Sequence, residues 1–154
     1  MKQFFSTKTY THAQGLSACF RQWRAQSHCK FLHGYALQVE IVFGATELDE
    51  RNWVADFGAL KPIKEWLEKT FDHKTLVAVD DPLLGEFREL DRIGMIQLVT
   101  VPSTGCEKFA ELIYDYVSGW VETYSGERPL NETVWVESVT VREHAGNSAI
   151  CKKQ

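Results

Sequence analysis

Cys29, Lys30, Phe31, Leu32, His33, Gly34 and Tyr35 put a thiol four residues before an imidazole and six before a phenol. A thiol of this kind is a nucleophile or a base once ionised, and an imidazole is a metal ligand or a proton carrier. His12 and His33 each fall at the end of a strand expected from the sequence, where antiparallel neighbours could bring both imidazoles onto a zinc ion. Asp72 and His73 are adjacent, and such a pair relays protons if the fold brings it near Cys29. The structural alternative is that Asp72 caps a turn while His73 offsets a helix C-terminal dipole. Glu143 shares parity with Val139 and Val141, so on an unbroken strand it points to their side. If that side is the core, the carboxylate needs a partner, and a guanidine-like heterocycle edge with two parallel N–H groups supplies one. If the strand ends or bulges first, the side chain is simply hydrated. Thr104-Gly105-Cys106-Glu107 reads as a capping box, which already accounts for Glu107 structurally.

These residues need elements to hold them. Phe4 to His12 reads as a strand, and Ala13 to His28 as a polar, arginine-bearing connection. From His33 to Phe43 the odd positions His33, Tyr35, Leu37, Val39, Ile41 and Phe43 share one face, the clearest strand in the chain. Leu60, Ile63, Leu67 and Phe71 mark a helix with Pro62 in its first turn, preceded by a turn over Gly58 to Lys61. An acidic link over residues 80–91 leads to a short strand, Met95 to Val101. The strongest helix follows, with Phe109, Leu112, Ile113, Tyr116, Val117, Trp120 and Val121 on one face. Val134 to Arg142 is a late strand and Ser148 to Lys152 a short final one.

With 154 residues, 44% hydrophobic and 25% charged, the chain has the composition of one ordinary globular domain, 1–154. No apolar run approaches the roughly 18 residues of a membrane span, and the start has no signal-peptide pattern, so a cytoplasmic protein is expected. Cys19, Cys29, Cys106 and Cys151 form no C-x-x-C pair and are expected as free thiols. All basic residues before Glu40 (Lys2, Lys8, Arg21, Arg24, Lys30) lie in a stretch without a single acid. That excess suits a small anion better than a nucleic acid, which needs a broader basic face. The alternative is a hydrated loop that happens to lack acids.

Together these features resemble the family of 6-pyruvoyltetrahydropterin and 6-carboxytetrahydropterin synthases along nearly the whole chain. The residues that carry the resemblance are His12, Cys29-x-x-x-His33-Gly34, Asp56-Phe57, Asp72-His73-Lys74 with Leu76, Glu107 and Glu143. The three-residue gap between Cys29 and His33 is similar to the bacterial 6-carboxytetrahydropterin branch. The resemblance implies an α+β tunnelling fold, or T-fold: a four-stranded antiparallel sheet with two helices on one face, closing into an oligomeric barrel. Homo-hexamers with sites between subunits are expected. It further implies that Glu143 anchors a pterin ring with help from Glu107, and that zinc on His12, His33 and Tyr35 binds substrate oxygens. Cys29 would move protons with Asp72 and His73. The implied reaction converts 7,8-dihydroneopterin triphosphate to 6-carboxy-5,6,7,8-tetrahydropterin, acetaldehyde and triphosphate on the way to deazapurines such as queuosine. Alternatives are a 6-pyruvoyl-forming or sepiapterin-cleaving activity, or a non-catalytic pterin- or metal-binding paralogue. Arg21, Arg24 and Lys30 would hold the triphosphate by charge.

The sequence departs from the family pattern in three places, the smallest being Gly105-Cys106 where the family commonly has a threonine before Glu107. His33-Gly34-Tyr35 stands where the family has H-G-H, so Tyr35 as phenolate, His28 or a water is left for the third zinc position, or the metal is lost or weakly held. Leu16-Ser17-Ala18-Cys19-Phe20-Arg21 resembles the family's F-S-A-A-H-R with Phe20 in the histidine's place. His12 is preferred as the first ligand because the strand from Phe4 reaches it after the usual length.

Overall fold

The strand anticipated over His33 to Phe43 organises the sheet: β3 runs His33–Ala45. Leu37, Val39, Ile41 and Phe43 on its inner face are no more than 1% exposed. The structure, a computed structural model, describes residues 1–154. One flank of β3 is shared by two consecutive antiparallel strands, β1 (Phe4–Tyr10) against Val39–Ala45 and β2 (Leu16–Phe20) against His33–Leu37. A single 3-10 turn, His12–Gln14, separates them and is closed by Gly15 at φ +72°, a left-handed conformation that glycine adopts without a Cβ penalty. β2 corrects the expected polar connection from Ala13 to His28. Its alternation is present (Leu16, Ala18 and Phe20 buried), but five residues next to a polar loop make a weak pattern.

The other flank of β3 holds β6 (Trp135–His144), and beyond it β7 (Asn147–Lys152). On the far side of β2 lie β4 (Lys74–Ala78) and β5 (Leu98–Val101), both parallel to their neighbours. The sheet thus has seven strands in the order β5-β4-β2-β3-β6-β7, with β1 beside β3, rather than four antiparallel ones. Parallel pairs require crossovers, and helices supply them. α1 (Lys61–Phe71) has Pro62 in its first turn and follows a 3-10 turn, Phe57–Leu60, as expected. α2 (Leu84–Arg92) replaces the expected acidic link and makes three α-helices instead of two. Glu86 in its first turn and Arg92 in its last complement the helix dipole, and Phe87 is its buried anchor.

α3 (Cys106–Thr123) lays Phe109, Ile113 and Val117, all 0% exposed, against the sheet. Phe109 meets Phe20 and Phe71 edge-on at ring centroid distances of 4.9 and 5.5 Å, joining β2, α1 and α3 in one core. The expected capping box does not form. Gly105, at φ +113°, is the N-cap, and the Thr104 hydroxyl donates instead to the Arg21 carbonyl at 2.7 Å. Thr104 sits one residue too early to cap, so its hydroxyl ties the helix entry to the end of β2.

Candidate functional site

At the His33 end of β3, the register of β2 sets Phe20 opposite His33 and Ala18 opposite Tyr35. The rings of Phe20, His33 and Tyr35 form a triangle, with centroids 5.3 Å (Phe20 to His33), 6.1 Å (Phe20 to Tyr35) and 5.5 Å (His33 to Tyr35) apart. Gly34 lets the two strands approach: a Cβ there would stand 2.5 Å from the Ala18 carbonyl oxygen. His33 directs Nδ1 at the Phe31 carbonyl, 2.7 Å away, which leaves Nε2 as its free ring nitrogen.

Around the Tyr35 phenol gather Glu143, Cys29 and Cys106. Burial raises the Tyr35 pKa first, and the Glu143 carboxylate, then the two thiols, raise it further. The buried Cys106 thiol is pushed up to about 12, mainly by burial and next by Glu143, with Glu107 also contributing. β6 carries Glu143 past Val139 and Val141 without ending, and its pairing with β7 is irregular only between Arg142 and His144. The carboxylate is therefore half-buried beside neutral groups, and no basic side chain pairs with it.

Cys29 lies in a 3-10 turn, His28–Lys30, where its N–H bonds the Ser27 hydroxyl at 3.3 Å and its carbonyl accepts the Gln22 N–H at 2.9 Å. The Gln22 amide in turn donates to the Thr104 carbonyl, so the thiol loop is tied to the start of α3, where Cys106 and Glu107 sit. Sequence reasoning passed over Cys106 as a site residue; the departure at Gly105-Cys106 just before Glu107 was the available signal.

Not every expected residue arrives. His12 sits in the turn between β1 and β2, bonded through Nδ1 to the Ala36 carbonyl, three positions along β3 from His33. Phe20, not His12, is the neighbour of His33. Asp72 and His73 do pair, Nδ1 to Oδ1 at 2.8 Å, and His73 takes a left-handed φ of +56°. Its N–H donates to the Ser17 carbonyl, and its side chain opens with Ser17, Cys19, Gly34 and Ala36 onto a cavity of about 450 Å³ on the outer face of the sheet. Ala18 and Tyr35 also line this cavity, and the Tyr35 phenol lies near Cys29, Glu143 and Cys106. The basic segment is also mostly spoken for: Arg21 forms a two-point pair with Asp81 at 2.6 and 2.8 Å, and Arg24 pairs with Asp80 at 3.1 Å.

Zinc of the expected kind takes three protein donors plus one exchangeable position. The ring triangle offers one imidazole, one phenol and a phenyl ring with no lone pair. No three His, Cys, Asp or Glu side chains converge on a common point. The residues present do not fit a zinc ion.

A family model described as 6-pyruvoyl tetrahydropterin synthase matches residues 9–154. The chain is 27% identical over 142 residues to the 6-carboxy-5,6,7,8-tetrahydropterin synthase of Aquifex aeolicus, spanning 91% of this chain and 85% of the relative. It is 37% identical over 62 residues to the Rickettsia felis protein of the same name, a match covering 40% of this chain and 45% of that relative. In fold it is similar to an uncharacterized protein from Wolinella succinogenes, with a TM-score of 0.77 at 19% identity over the full length of both. A Plasmodium vivax 6-pyruvoyltetrahydropterin synthase superposes with a TM-score of 0.67 at 14% identity, covering 100% of this chain and 99% of that one.

Proposed function

The chain belongs to the 6-pyruvoyl tetrahydropterin synthase family, and from that membership we propose that it binds a pterin against Glu143 and acts as a 6-carboxy-5,6,7,8-tetrahydropterin synthase. The substrate would be 7,8-dihydroneopterin triphosphate, and with water the products are 6-carboxy-5,6,7,8-tetrahydropterin, acetaldehyde and triphosphate.

The observation that carries the reading is the state of Glu143: half-buried, flanked by un-ionised Tyr35 and Cys106, and without a cationic partner. A carboxylate so placed is stabilised by a ligand that donates two parallel N–H bonds, which is what the aminopyrimidinone edge of a pterin presents. Cys29, near the Tyr35 phenol, is the group that takes a proton from the substrate side chain. The Asp72–His73 pair is anchored at Ser17, five residues from the Gln22 N–H that holds Cys29, roughly 16 Å along an extended chain. With sites between subunits, the pair of a neighbouring copy, rather than the same chain's, serves Cys29. A homo-hexamer and a cytoplasmic location complete the proposal; no helix is long and apolar enough to cross a membrane.

The deciding experiment is incubation of the purified protein with 7,8-dihydroneopterin triphosphate, with the products read by mass. The expected result is 6-carboxytetrahydropterin from the wild type and none from Cys29→Ala, with pterin binding retained in both. A second reading, a pterin-binding paralogue without turnover, is favoured by Phe20 and Tyr35 at the two positions flanking His33. Binding without product in the wild type would establish it.

A further inference from the structure

We infer that this chain holds no zinc ion where its family resemblance places one, and that the Phe20–His33–Tyr35 triangle closes that position as packed core. The inference deepens the reading of the pterin site and rests on it only for the site's location. Phe20 is 1% exposed, stands directly across from His33 in the β2–β3 register, and is clamped from the other side by Phe109 at 4.9 Å. Its ring fills the place from which a first-strand imidazole would reach His33. Tyr35 occupies the second missing position and packs against both rings. His12 does not stand in for Phe20, because its Nδ1 tethers the ring to the Ala36 carbonyl, three positions along β3 from His33. Ligands on one zinc need donor atoms about 2 Å from a shared centre, and a spacing of three strand residues is roughly 10 Å.

A neighbouring subunit does not repair the set. All three positions lie on one chain's β2–β3 pair, so a second copy would have to displace the Phe20 ring from between His33 and Phe109 before a donor could enter. The pterin-anchoring side of the site needs no metal: Glu143, Tyr35 and Cys106 are positioned by β6, β3 and α3.

The test is the metal content of the intact oligomer after equilibration with zinc chloride and gel filtration. Well under about 0.1 zinc per chain is expected, since one imidazole falls far short of the usual three protein donors. About one zinc per chain that disappears in His33→Ala would overturn the inference. Zinc that survives His33→Ala is bound elsewhere and leaves it standing. A second readout uses pterin affinity, followed by the ligand's fluorescence with and without a chelator. A dissociation constant unchanged within about two-fold supports the inference, and a weakening of more than about ten-fold, the size of effect metal-shell losses produce, overturns it. Restoring both imidazoles with Phe20→His and Tyr35→His should raise zinc to about one per chain. Should the double variant not fold, the wild-type count and the chelator comparison still decide. A protein that binds no pterin at all defeats the function proposed above, while the zinc count judges this inference separately.

Discussion

At the level of single residues, the unpaired carboxylate of Glu143 sets the strongest expectation. Glu143→Gln keeps the shape but loses the charge that strengthens two hydrogen bonds. Hydrogen bonds to charged groups contribute about 1.5–3 kcal/mol, so pterin affinity should fall by about 10- to 100-fold in a fluorescence titration while the thermal midpoint stays put. Tyr10 gives a prediction about stability instead. It is 3% exposed, and its hydroxyl finds no hydrogen-bond partner. Tyr10→Phe removes an unsatisfied buried group and should stabilise the fold by about 1 kcal/mol in urea unfolding. Burial lifts the Tyr10 pKa to about 12. The unfolded chain gives up that proton near pH ~10, so the folded chain holds it over a range where the unfolded one does not. The stability difference is therefore intact below pH ~10 and erodes as pH rises through the folded value, and Tyr10→Phe should flatten that alkaline limb.

Between elements, the tie that matters most is Arg21–Asp81, which joins the end of β2 to the turn before α2. The Asp81 side chain is 1% exposed, and the Arg21 hydrogen bonds hold its carboxyl below the ordinary carboxylate range. A depressed folded pKa adds stability that is complete above the unfolded value of about 3.9 and is lost as pH falls through the folded one. Arg21→Ala leaves a buried charge without its partner and should cost about 3 kcal/mol near neutral pH, less in acid, by chemical denaturation at both pH values. Gly34→Ala drives a Cβ into the Ala18 carbonyl and should cost about 2 kcal/mol, as overpacking does. β3, α1 and α3 were legible in the sequence because each carries a long run of one period. β2, β4 and α2 were not: β2 and β4 are five residues long each, and α2 buries only Phe87 under a surface of acids that also suits a loop. The same shortness hid the site. Without β2 in view, His12 was preferred as neighbour to His33 over the Phe20 position that the Leu16–Arg21 run also offered, and the paired register puts Phe20 there. The parity of Val139 and Val141 points toward the side Glu143 takes, although the β6–β7 register breaks at that residue, whereas the pairs of Arg21 and Arg24 depend on Asp81 and Asp80, 60 and 56 positions onward, and no local pattern announces them.

For the molecule as a whole, the Asp72–His73 pair is bonded to Ser17 and not to Cys29 in the same chain, so turnover should belong to the assembly. Mixing inactive Cys29→Ala with inactive His73→Ala subunits should restore product formation through hybrid sites, whereas either variant alone stays silent. The surface offers places for such contacts: β1, β5 and β7 each keep one unpaired edge, and Phe5, Trp53 and Phe57, all more than 40% exposed, border an apolar cavity of about 570 Å³. β3 also has a bearing on synthesis. It pairs with β1 and β2 soon after they emerge, but its other edge waits for β6, with Val39 meeting Val141 only near the chain's end. Until then a growing polypeptide displays a long β-branched edge to its surroundings, the situation in which nascent chains stick to one another. Ribosome-bound fragments stopped before Thr133 should be captured by chaperones, and fragments carried through β7 should be released.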